Sequence, residues 1–404
     1  MNERWLAGAG RLAGWMVLAL GFSLPLSTAL DAALGAILVL AVLLGGGYRE
    51  MLSALRSNPF VLFPAGFFLL HVLGAAYSIG PPEDVLHALD KASILLVMPL
   101  IVAMRPKSGV RDAALNTFAA TSLVVLAASF LLWWSLLPEA GWVKGVPADP
   151  VVFKKHITHA VLMAFAAYFF ALKALDAQDR RLGILLGIAS GVAAFNVLYM
   201  VHGRTGHLVL VALACYGLWR RFRWRGVAMA ALVCVAVAGT IYFATSSGIH
   251  QRVKQTLVEL KDWRAGMPSK PSNRRPDSWR NSAAIVAQNP VIGVGTGGFP
   301  AAYAAHVQGT SMEPFRQPEN QYLMTAVELG AVGILAFLAL LAAQWHLAAR
   351  LASRTETELA RGLVISMAVG CLFNSFLLDH TEALFYAWLS GLLFAGLPRR
   401  AAAG

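Results

Sequence analysis

Residues 321–346 read QYLMTAVELGAVGILAFLALLAAQWH, and this stretch carries one carboxylate, Glu328, and neither Lys nor Arg. About 20 mainly apolar residues are enough for a helix to cross the hydrocarbon core of a bilayer. Strands of a membrane barrel would be shorter and would alternate apolar with polar side chains, which this stretch does not do. The stretch therefore predicts a transmembrane helix.

The same kind of stretch recurs along the whole chain. The protein is 58% hydrophobic and only 13% charged, whereas soluble domains carry about 25% charged residues. Helices pair their own backbone groups, as lipid requires. The predicted fold class is therefore all-α, a polytopic membrane protein with about 12 transmembrane helices. The predicted spans are 14–29, 30–47, 59–77, 88–104, 112–136, 157–175, 184–201, 206–220, 226–245, 321–346, 359–378 and 383–397.

The loops between these spans alternate in charge. Cytoplasmic loops of membrane proteins are enriched in Lys and Arg, so we expect the Arg-rich loops and both termini in the cytoplasm. The net charge of +12 is spread over these short loops and is not gathered on one face, which argues against nucleic acid binding. Cys215, Cys234 and Cys371 lie within apolar stretches, without the spacing of a disulfide framework or a metal site. The loops expected on the outer side are 81–84, 138–155, 202–206, 248–320 and 379–382.

The chain divides into three predicted regions. Residues 1–245 hold nine transmembrane helices, 246–320 form a long periplasmic loop with the candidate chemistry, and 321–404 hold the last three helices. Helical spacing of apolar residues predicts two helices within the long loop, at 253–263 and 278–288. The prolines between 268 and 276 separate them.

A candidate anion site lies in the outer turn HGRTG at 202–206. A lone Arg at a helix end often extends to the membrane interface, but a guanidinium also matches phosphate oxygens. The two glycines would allow a ligand to approach the backbone, and the following helix begins with free N–H groups. Arg204 is therefore a candidate anion-binding residue. Arg280 follows Trp279 in the long loop, where a run of charge is usually a solvated surface.

Two further outer motifs carry candidate acid–base groups. Glu319, in QPEN at 317–320, either caps the following helix or accepts a proton as general base. His380, in DHTE at 379–382, has acidic neighbours that would favour its charged form or fix its tautomer. GVGTGG at 293–298 formally matches a dinucleotide-binding pattern, but no strand–helix unit surrounds it, so we interpret it as a tight loop at the floor of the site.

Together these features resemble the O-antigen ligase and polymerase family of bacterial membrane glycosyltransferases. The resemblance covers roughly residues 150–345. It rests on Arg204-Thr205-Gly206 with Leu208, on Trp279-Arg280, on NPVIGVG at 289–295, and on the segment that enters residues 321–329. In the family this segment reads His, then Asn, Ser or Gln, nine residues, and Gly-x-x-Gly. Here Asn320 and GAVG at 330–333 keep the spacing, but Glu319 replaces the family histidine.

This resemblance implies a GT-C-like fold and an inverting transfer of a glycan from undecaprenyl diphosphate, with no metal ion or other cofactor. Arg204 and Arg280 would hold the diphosphate, with Arg275 and Asn320 beside them. The base that activates the acceptor hydroxyl is either Glu319, which keeps the motif position, or His380. The expected enzyme is an O-antigen ligase of the bacterial inner membrane that joins O-polysaccharide to lipid A–core at the periplasmic face.

The expected partners are undecaprenyl-diphosphate-linked O-antigen, the lipid A–core acceptor and membrane lipids. Three alternatives stay open. An O-antigen polymerase would use the same donor with a lipid-linked glycan as acceptor, and a protein O-oligosaccharyltransferase would transfer to Ser or Thr. A polytopic lipid or glycan transporter would carry buried ionisable residues and inverted repeats.

Overall fold

The computed structural model describes residues 3–46, 48–137, 141–229, 231–232, 258, 275–310 and 312–397. Over these residues the chain is helical and forms no strand, with one isolated bridge between Val146 and Asp149. The helices are α1 Glu3–Ser23, α2 Thr28–Gly45, α3 Tyr48–Ser57, α4 Leu62–Ala75, α5 Pro82–Ser93, α6 Val97–Met104, α7 Ser108–Trp133, α8 His156–Asp176, α9 Arg180–Phe195, α10 Arg204–Phe222, α11 Arg275–Gln288, α12 Phe299–Val307, α13 Gln321–Ala348, α14 Arg354–Gly370 and α15 His380–Phe394.

Local capping signals explain where several helices begin. Ser27 accepts a hydrogen bond from the Leu30 amide at the start of α2, and Asp179 accepts one from the Arg181 amide at the start of α9. Ser353 and Glu356 form a reciprocal capping box at the start of α14. Side-chain oxygens at these positions satisfy amides that have no partner within the helix.

Helix α15 is the centre of the bundle, and its side chains from Thr381 to Phe394 are buried. The ring of Trp388 is fully enclosed, and its Nε1 donates to the Val17 carbonyl over 2.8 Å. Helix α9 lies at the periphery, with Leu185 63% exposed and Ile188 57% exposed. Apolar side chains that face outward in this way suit contact with lipid.

Six helical segments of the described chain are long and apolar enough to cross a membrane. The count becomes seven if the pair Tyr48–Ser57 and Pro59–Ala75, bent by 85°, is one span. The other helices are short or carry charge: α14 has 17 residues and α15 has 15. The protein is therefore a helical, multi-pass membrane protein. The predicted span 226–245 and the predicted helix 253–263 lie mainly outside the described residues.

The predicted span 359–378 is wrong at its end, because α14 stops at Gly370 and residues 371–379 form a non-helical connector. The carbonyls of Cys371 and Asn374 accept hydrogen bonds from the Gln321 amide over 2.8 and 3.2 Å. These carbonyls accept from the first amide of α13 in place of amides further along their own segment, which is consistent with the end of α14 at Gly370. The predicted helix 278–288 is confirmed as part of α11.

The connecting segments gather at two ends of the bundle. The site end holds the starts of α10, α13 and α15, and the opposite end holds the ends of these helices. Contacts link the segments at each end: the Ile79 amide donates to the Val294 carbonyl at the site end, and Asn58 donates to the Phe394 carbonyl at the opposite end. The alternation predicted from loop charge therefore matches which loops lie together.

Candidate functional site

Arg204 is the first residue of α10 and is exposed at the site end. Its guanidinium makes no ion pair within the described residues. The next residue, Thr205, is buried, and its Oγ1 accepts a hydrogen bond from Asn374 Nδ2 over 2.6 Å. This bond connects the start of α10 to the connector 371–379.

The two glycines beside Arg204 allow close helix packing, which differs from the ligand approach that the sequence led us to expect. A Cβ added to Gly203 would lie 2.6 Å from Ala160 Cβ, and one added to Gly206 would lie 2.3 Å from it. Ala160 belongs to α8, so the turn is pressed against that helix. The glycines therefore let the start of α10, which carries Arg204, pack closely against α8.

Helix α11 is attached to the segment that precedes α13. Arg275 Nε donates to Glu319 Oε2 over 2.5 Å, and Trp279 Nε1 donates to the Pro318 carbonyl over 3.0 Å. The Trp279 ring also contacts the Phe373 ring of the connector, with centroids 6.2 Å apart. These contacts leave Arg280, the next residue on α11, exposed and without an ion pair within the described part of the chain.

Glu319 and Asn320 have different roles although they are adjacent. Asn320 is the N-cap of α13: its side-chain oxygen accepts from the Leu323 amide over 3.0 Å and its Nδ2 donates to the Leu372 carbonyl over 2.9 Å. Both ends of the Asn320 amide are therefore engaged by protein. Glu319 is not the cap. It has a left-handed φ of 49° and a half-buried carboxylate.

The turn at the start of α15 adds a second carboxylate to the site end. Asp379 is the N-cap residue of α15, and burial raises the pKa of its carboxyl above the ordinary value of 3.8. Lys155 and Lys91 oppose that rise, whereas the charge of Glu319 adds to it. Asp379 therefore lies within electrostatic reach of both Glu319 and two lysines. His380 follows it, half-buried, and its Nε2 is buried without a hydrogen-bond partner among the described residues.

A buried ion pair lies beneath this turn. Lys154 Nζ lies 2.8 Å from Asp31 Oδ2 and donates to Thr28 and Thr381 hydroxyls over 3.1 and 3.0 Å. The two charged side chains are 4% and 0% exposed. Ser23 donates to the other Asp31 oxygen over 2.6 Å. The network joins α2, the segment before α8 and the start of α15.

The glycine-rich loop 293–298 is inserted at a break in α13. Gly330 has a φ of 62° and interrupts the helix. The carbonyls of Val327 and Glu328, freed by this break, accept hydrogen bonds from the Val294 and Gly295 amides over 2.9 Å each. On the other side of the break, the amides of Ala331 and Val332 donate to the carbonyls of Pro290 and Val291.

The remaining amides of this loop are also occupied. Thr296 N donates to the Gly74 carbonyl over 3.2 Å, and Gly297 N donates to Glu328 Oε1 over 2.9 Å. A nucleotide phosphate needs such amides to be free. The loop is therefore a structural brace behind the site, as its sequence context indicated, and not a phosphate cradle.

The elements that carry two exposed guanidiniums, on Arg204 and Arg280, and two carboxylates, on Glu319 and Asp379, meet at one connecting segment. The shared element is the connector 371–379, which contacts α10, α11 and α13. Guanidiniums of this kind suit phosphate oxygens, and a carboxylate can accept a hydroxyl proton. Within the described residues no group of three or more His, Cys, Asp or Glu side chains has a metal-binding arrangement.

Sequence reasoning missed the Lys154–Asp31 network. The available signal was Asp31 itself, a carboxylate at the start of an otherwise apolar stretch, since ionisable residues in such stretches usually have a specific partner. Its partner lies 123 positions away, and no local spacing indicates that pairing.

Comparison with known families bears on this region of the chain. A family model described as O-antigen ligase matches residues 189–338. The match includes Arg204, Arg280, Glu319 and the broken part of α13, and it ends before Asp379 and His380. No curated protein matches the chain.

Proposed function

Because a family model described as O-antigen ligase matches residues 189–338, we propose that the chain is an O-antigen ligase. The enzyme transfers O-polysaccharide from undecaprenyl diphosphate to lipid A–core at the periplasmic face of the bacterial inner membrane. The observation that carries the proposal is the pair of exposed arginines, Arg204 and Arg280, at the same end of the bundle as the carboxylates of Glu319 and Asp379.

Arg204 and Arg280 bind the diphosphate of the donor. Each guanidinium can donate two parallel hydrogen bonds to phosphate oxygens, and neither is neutralised by a carboxylate in the described residues. As the bond between the anomeric carbon and the diphosphate breaks, negative charge grows on the leaving oxygen. Fixed cations near that oxygen stabilise the transition state more than the ground state.

Glu319 is the proposed general base. An acceptor hydroxyl attacks the anomeric carbon from the face opposite the diphosphate, its proton passes to the carboxylate, and undecaprenyl diphosphate leaves. The product is the inverted glycoside. The ion pair with Arg275 fixes the direction of the Glu319 side chain, which supports a positioning role for Arg275 in place of the diphosphate contact expected from the sequence.

His380 is the alternative base, and its unpartnered Nε2 supports its inclusion in the test. Asn320 keeps the start of α13 in place, since both ends of its side chain are engaged. The transporter alternative gains little from the buried carboxylates Asp31, Glu328 and Glu358, because each has a fixed protein donor.

The test is complementation of a ligase-deleted host that makes a compatible core and O-antigen. The variants are Arg204→Ala, Arg280→Ala, Glu319→Ala and His380→Ala, all quantified for expression. Arg316→Ala is the matched control, because Arg316 is an exposed arginine of the same segment that pairs with Asp84. We expect wild type and Arg316→Ala to restore the lipopolysaccharide ladder and both site-arginine variants to lose it.

Loss of the ladder in either the Glu319 or the His380 variant alone identifies the base. A well-expressed wild-type protein that gives no ladder contradicts the ligase assignment. If it instead lengthens the lipid-linked glycan, the polymerase alternative replaces it, and if it does neither, transport is tested next.

A further inference from the structure

A second polar cavity lies at the opposite end of the bundle, away from the proposed active site. It has a volume of about 230 Å³ and lies among α3, the link between α6 and α7, and the residues after α15. Helix α15 starts at His380 in the site end and finishes at Phe394. With about 1.5 Å of rise per residue, the length of this helix separates the two sites.

Arg111 forms one wall of this cavity and has unused donors. Its side chain is only 13% exposed, and its Nη2 lies 3.3 Å from Glu356 Oε1. Its Nε and Nη1 are buried without a hydrogen-bond partner in the part of the chain that the structure describes. Buried polar groups in proteins nearly always have a partner. Gly396 makes room for the guanidinium, since an added Cβ would lie 1.7 Å from Nη1.

Arg105 forms a second wall and has a strained backbone. It ends α6 with φ 48° and ψ 58°, a left-handed conformation. Glycine is the usual residue at such a helix end, because a side chain raises the energy of this conformation. Its Nη2 lies 3.4 Å from Ser57 Oγ, which also lines the cavity. A requirement for the guanidinium at this position would explain why arginine occurs where glycine would have the lower backbone energy.

Helix α3 extends the basic surface beyond the cavity. Arg49, Ser53, Arg56 and Ser57 share one face of it and line an adjoining open groove. Its other face is apolar, with Ala54 buried. A short helix of this kind, bent by 85° from the helix that follows it, suits a position along the membrane surface.

We propose that this cavity binds the phosphate group of an anionic membrane lipid. Arg105 and Arg111 supply guanidiniums that match phosphate oxygens, Ser57 supplies a hydroxyl, and no carboxylate lines the cavity. Val102 and Leu397 provide apolar surface beside them. Sites for whole small-molecule ligands usually measure about 300–1,000 Å³, so the cavity holds a headgroup and leaves the acyl chains in the bilayer.

The test uses the full-length protein in detergent, with native mass spectrometry and thermal unfolding. The probes are phosphatidylglycerol, phosphatidylcholine and inorganic phosphate. The key variant is Arg105→Gly, because glycine removes the guanidinium and also relieves the left-handed strain. Arg111→Gln is the second variant. Arg180→Gln is the matched control, since Arg180 is an exposed arginine at the same end of the bundle.

We expect wild type and Arg180→Gln to bind phosphatidylglycerol in preference to phosphatidylcholine. Arg105→Gly should weaken that binding about tenfold, the effect of losing one charge-assisted hydrogen bond, while its melting temperature without lipid stays equal or rises. Arg111→Gln should weaken binding in the same direction. A merely structural role for Arg105 predicts unchanged lipid binding.

Three results would overturn the proposal. Equal weakening by Arg180→Gln would indicate general surface charge. Unchanged binding in Arg105→Gly and Arg111→Gln would exclude the cavity. Stabilisation by inorganic phosphate equal to that by phosphatidylglycerol would assign the cavity to a soluble anion. None of these results depends on glycan transfer.

Discussion

Arg275 and Glu319 form an ion pair of 2.5 Å between the first residue of α11 and the residue two positions before α13. One of these residues was expected to bind the diphosphate and the other to act as base. From this contact we propose that Arg275 orients Glu319, while its diphosphate-binding role stays a prediction. Both side chains stay partly exposed. We therefore expect the ion pair to orient the Glu319 carboxylate and to add little to the stability of the fold.

The two roles of Arg275 predict different kinetics. We expect Arg275→Ala to lower kcat for glycan transfer and to leave the KM for the lipid-linked donor nearly unchanged. Glu319→Ala should lower kcat further, within the roughly 10²–10⁴-fold range of a general base. Steady-state rates of the purified enzyme separate these cases, with Arg316→Ala as control. A raised KM with normal kcat in Arg275→Ala would indicate that Arg275 binds the donor diphosphate and does not orient Glu319.

The break in α13 predicts that adding one methyl group at Gly330 lowers the stability of the protein strongly. Gly330→Ala places a Cβ 2.3 Å from the Val291 carbonyl oxygen at a φ of 62°. With ψ at −155° this backbone conformation is almost confined to glycine and costs about 1–3 kcal/mol for a residue with a side chain, and the overlap adds to it. We expect a clear fall in the melting temperature of the detergent-solubilised protein.

Gly187→Ala is the matched control for Gly330→Ala. Gly187 lies within α9, and nothing lies within 4 Å of a Cβ added there. This substitution should stabilise the helix by about 0.5–1 kcal/mol. Similar melting temperatures for the two alanine variants would show that Val291 and Ile292 do not pack against Gly330 as described.

The carboxyl group of Asp379 predicts how stability depends on pH. Burial raises the pKa of Asp379 in the folded protein above 3.8, so the folded state binds this proton more tightly than the unfolded state. Its contribution to stability is present below pH 3.8 and is lost as the pH rises through the folded-state pKa. Asp379→Asn should remove this loss and be the more stable protein at neutral pH.

Melting temperatures measured from acid to neutral pH check the Asp379 prediction. Asp112→Asn is a suitable comparison, because Asp112 is an exposed aspartate at the opposite end of the bundle. If the wild-type and Asp379→Asn proteins differ by the same amount at every pH, the Asp379 carboxyl does not change its proton affinity on folding.

The buried pair of Lys154 and Asp31 predicts strong coupling. Removing one partner leaves a charge buried alone, which costs about 3–5 kcal/mol. We expect Lys154→Met and Asp31→Asn each to lower the melting temperature sharply. The double variant should lose much less than the sum of the two, since neither charge is then isolated. Additive losses in this double-mutant cycle would contradict the pairing.

Sequence patterns predicted several helices closely, because helices depend on local composition. The predicted count of about 12 spans is not confirmed, since six or seven segments of the described chain are long and apolar enough to cross a membrane. The predicted span 157–175 differs from α8, His156–Asp176, by one residue at each end. The helix near Trp279 was also confirmed. The grouping of Arg204, Glu319 and His380 at one end followed from counting spans and from the charge of the loops.

Long-range contacts could not be predicted in this way. Gly203 and Gly206 were interpreted as space for a ligand, although their neighbour is Ala160, more than 40 positions earlier. The end of α14 depends on carbonyls that bind the Gln321 amide, which hydropathy does not register. The role of Gly330 could not be predicted without the knowledge that another segment supplies hydrogen-bond partners at the break in α13.

The insertion of the glycine-rich loop 293–298 at the break in α13 also constrains how the protein is made. The loop is synthesised before the helix, and the acceptors for its amides at Val294 and Gly295 are the carbonyls of Val327 and Glu328. Until those residues leave the ribosome, the loop lacks these two partners, and without the loop the helix has unpaired groups at its break. The loop and the helix can therefore complete these hydrogen bonds only after both have been synthesised.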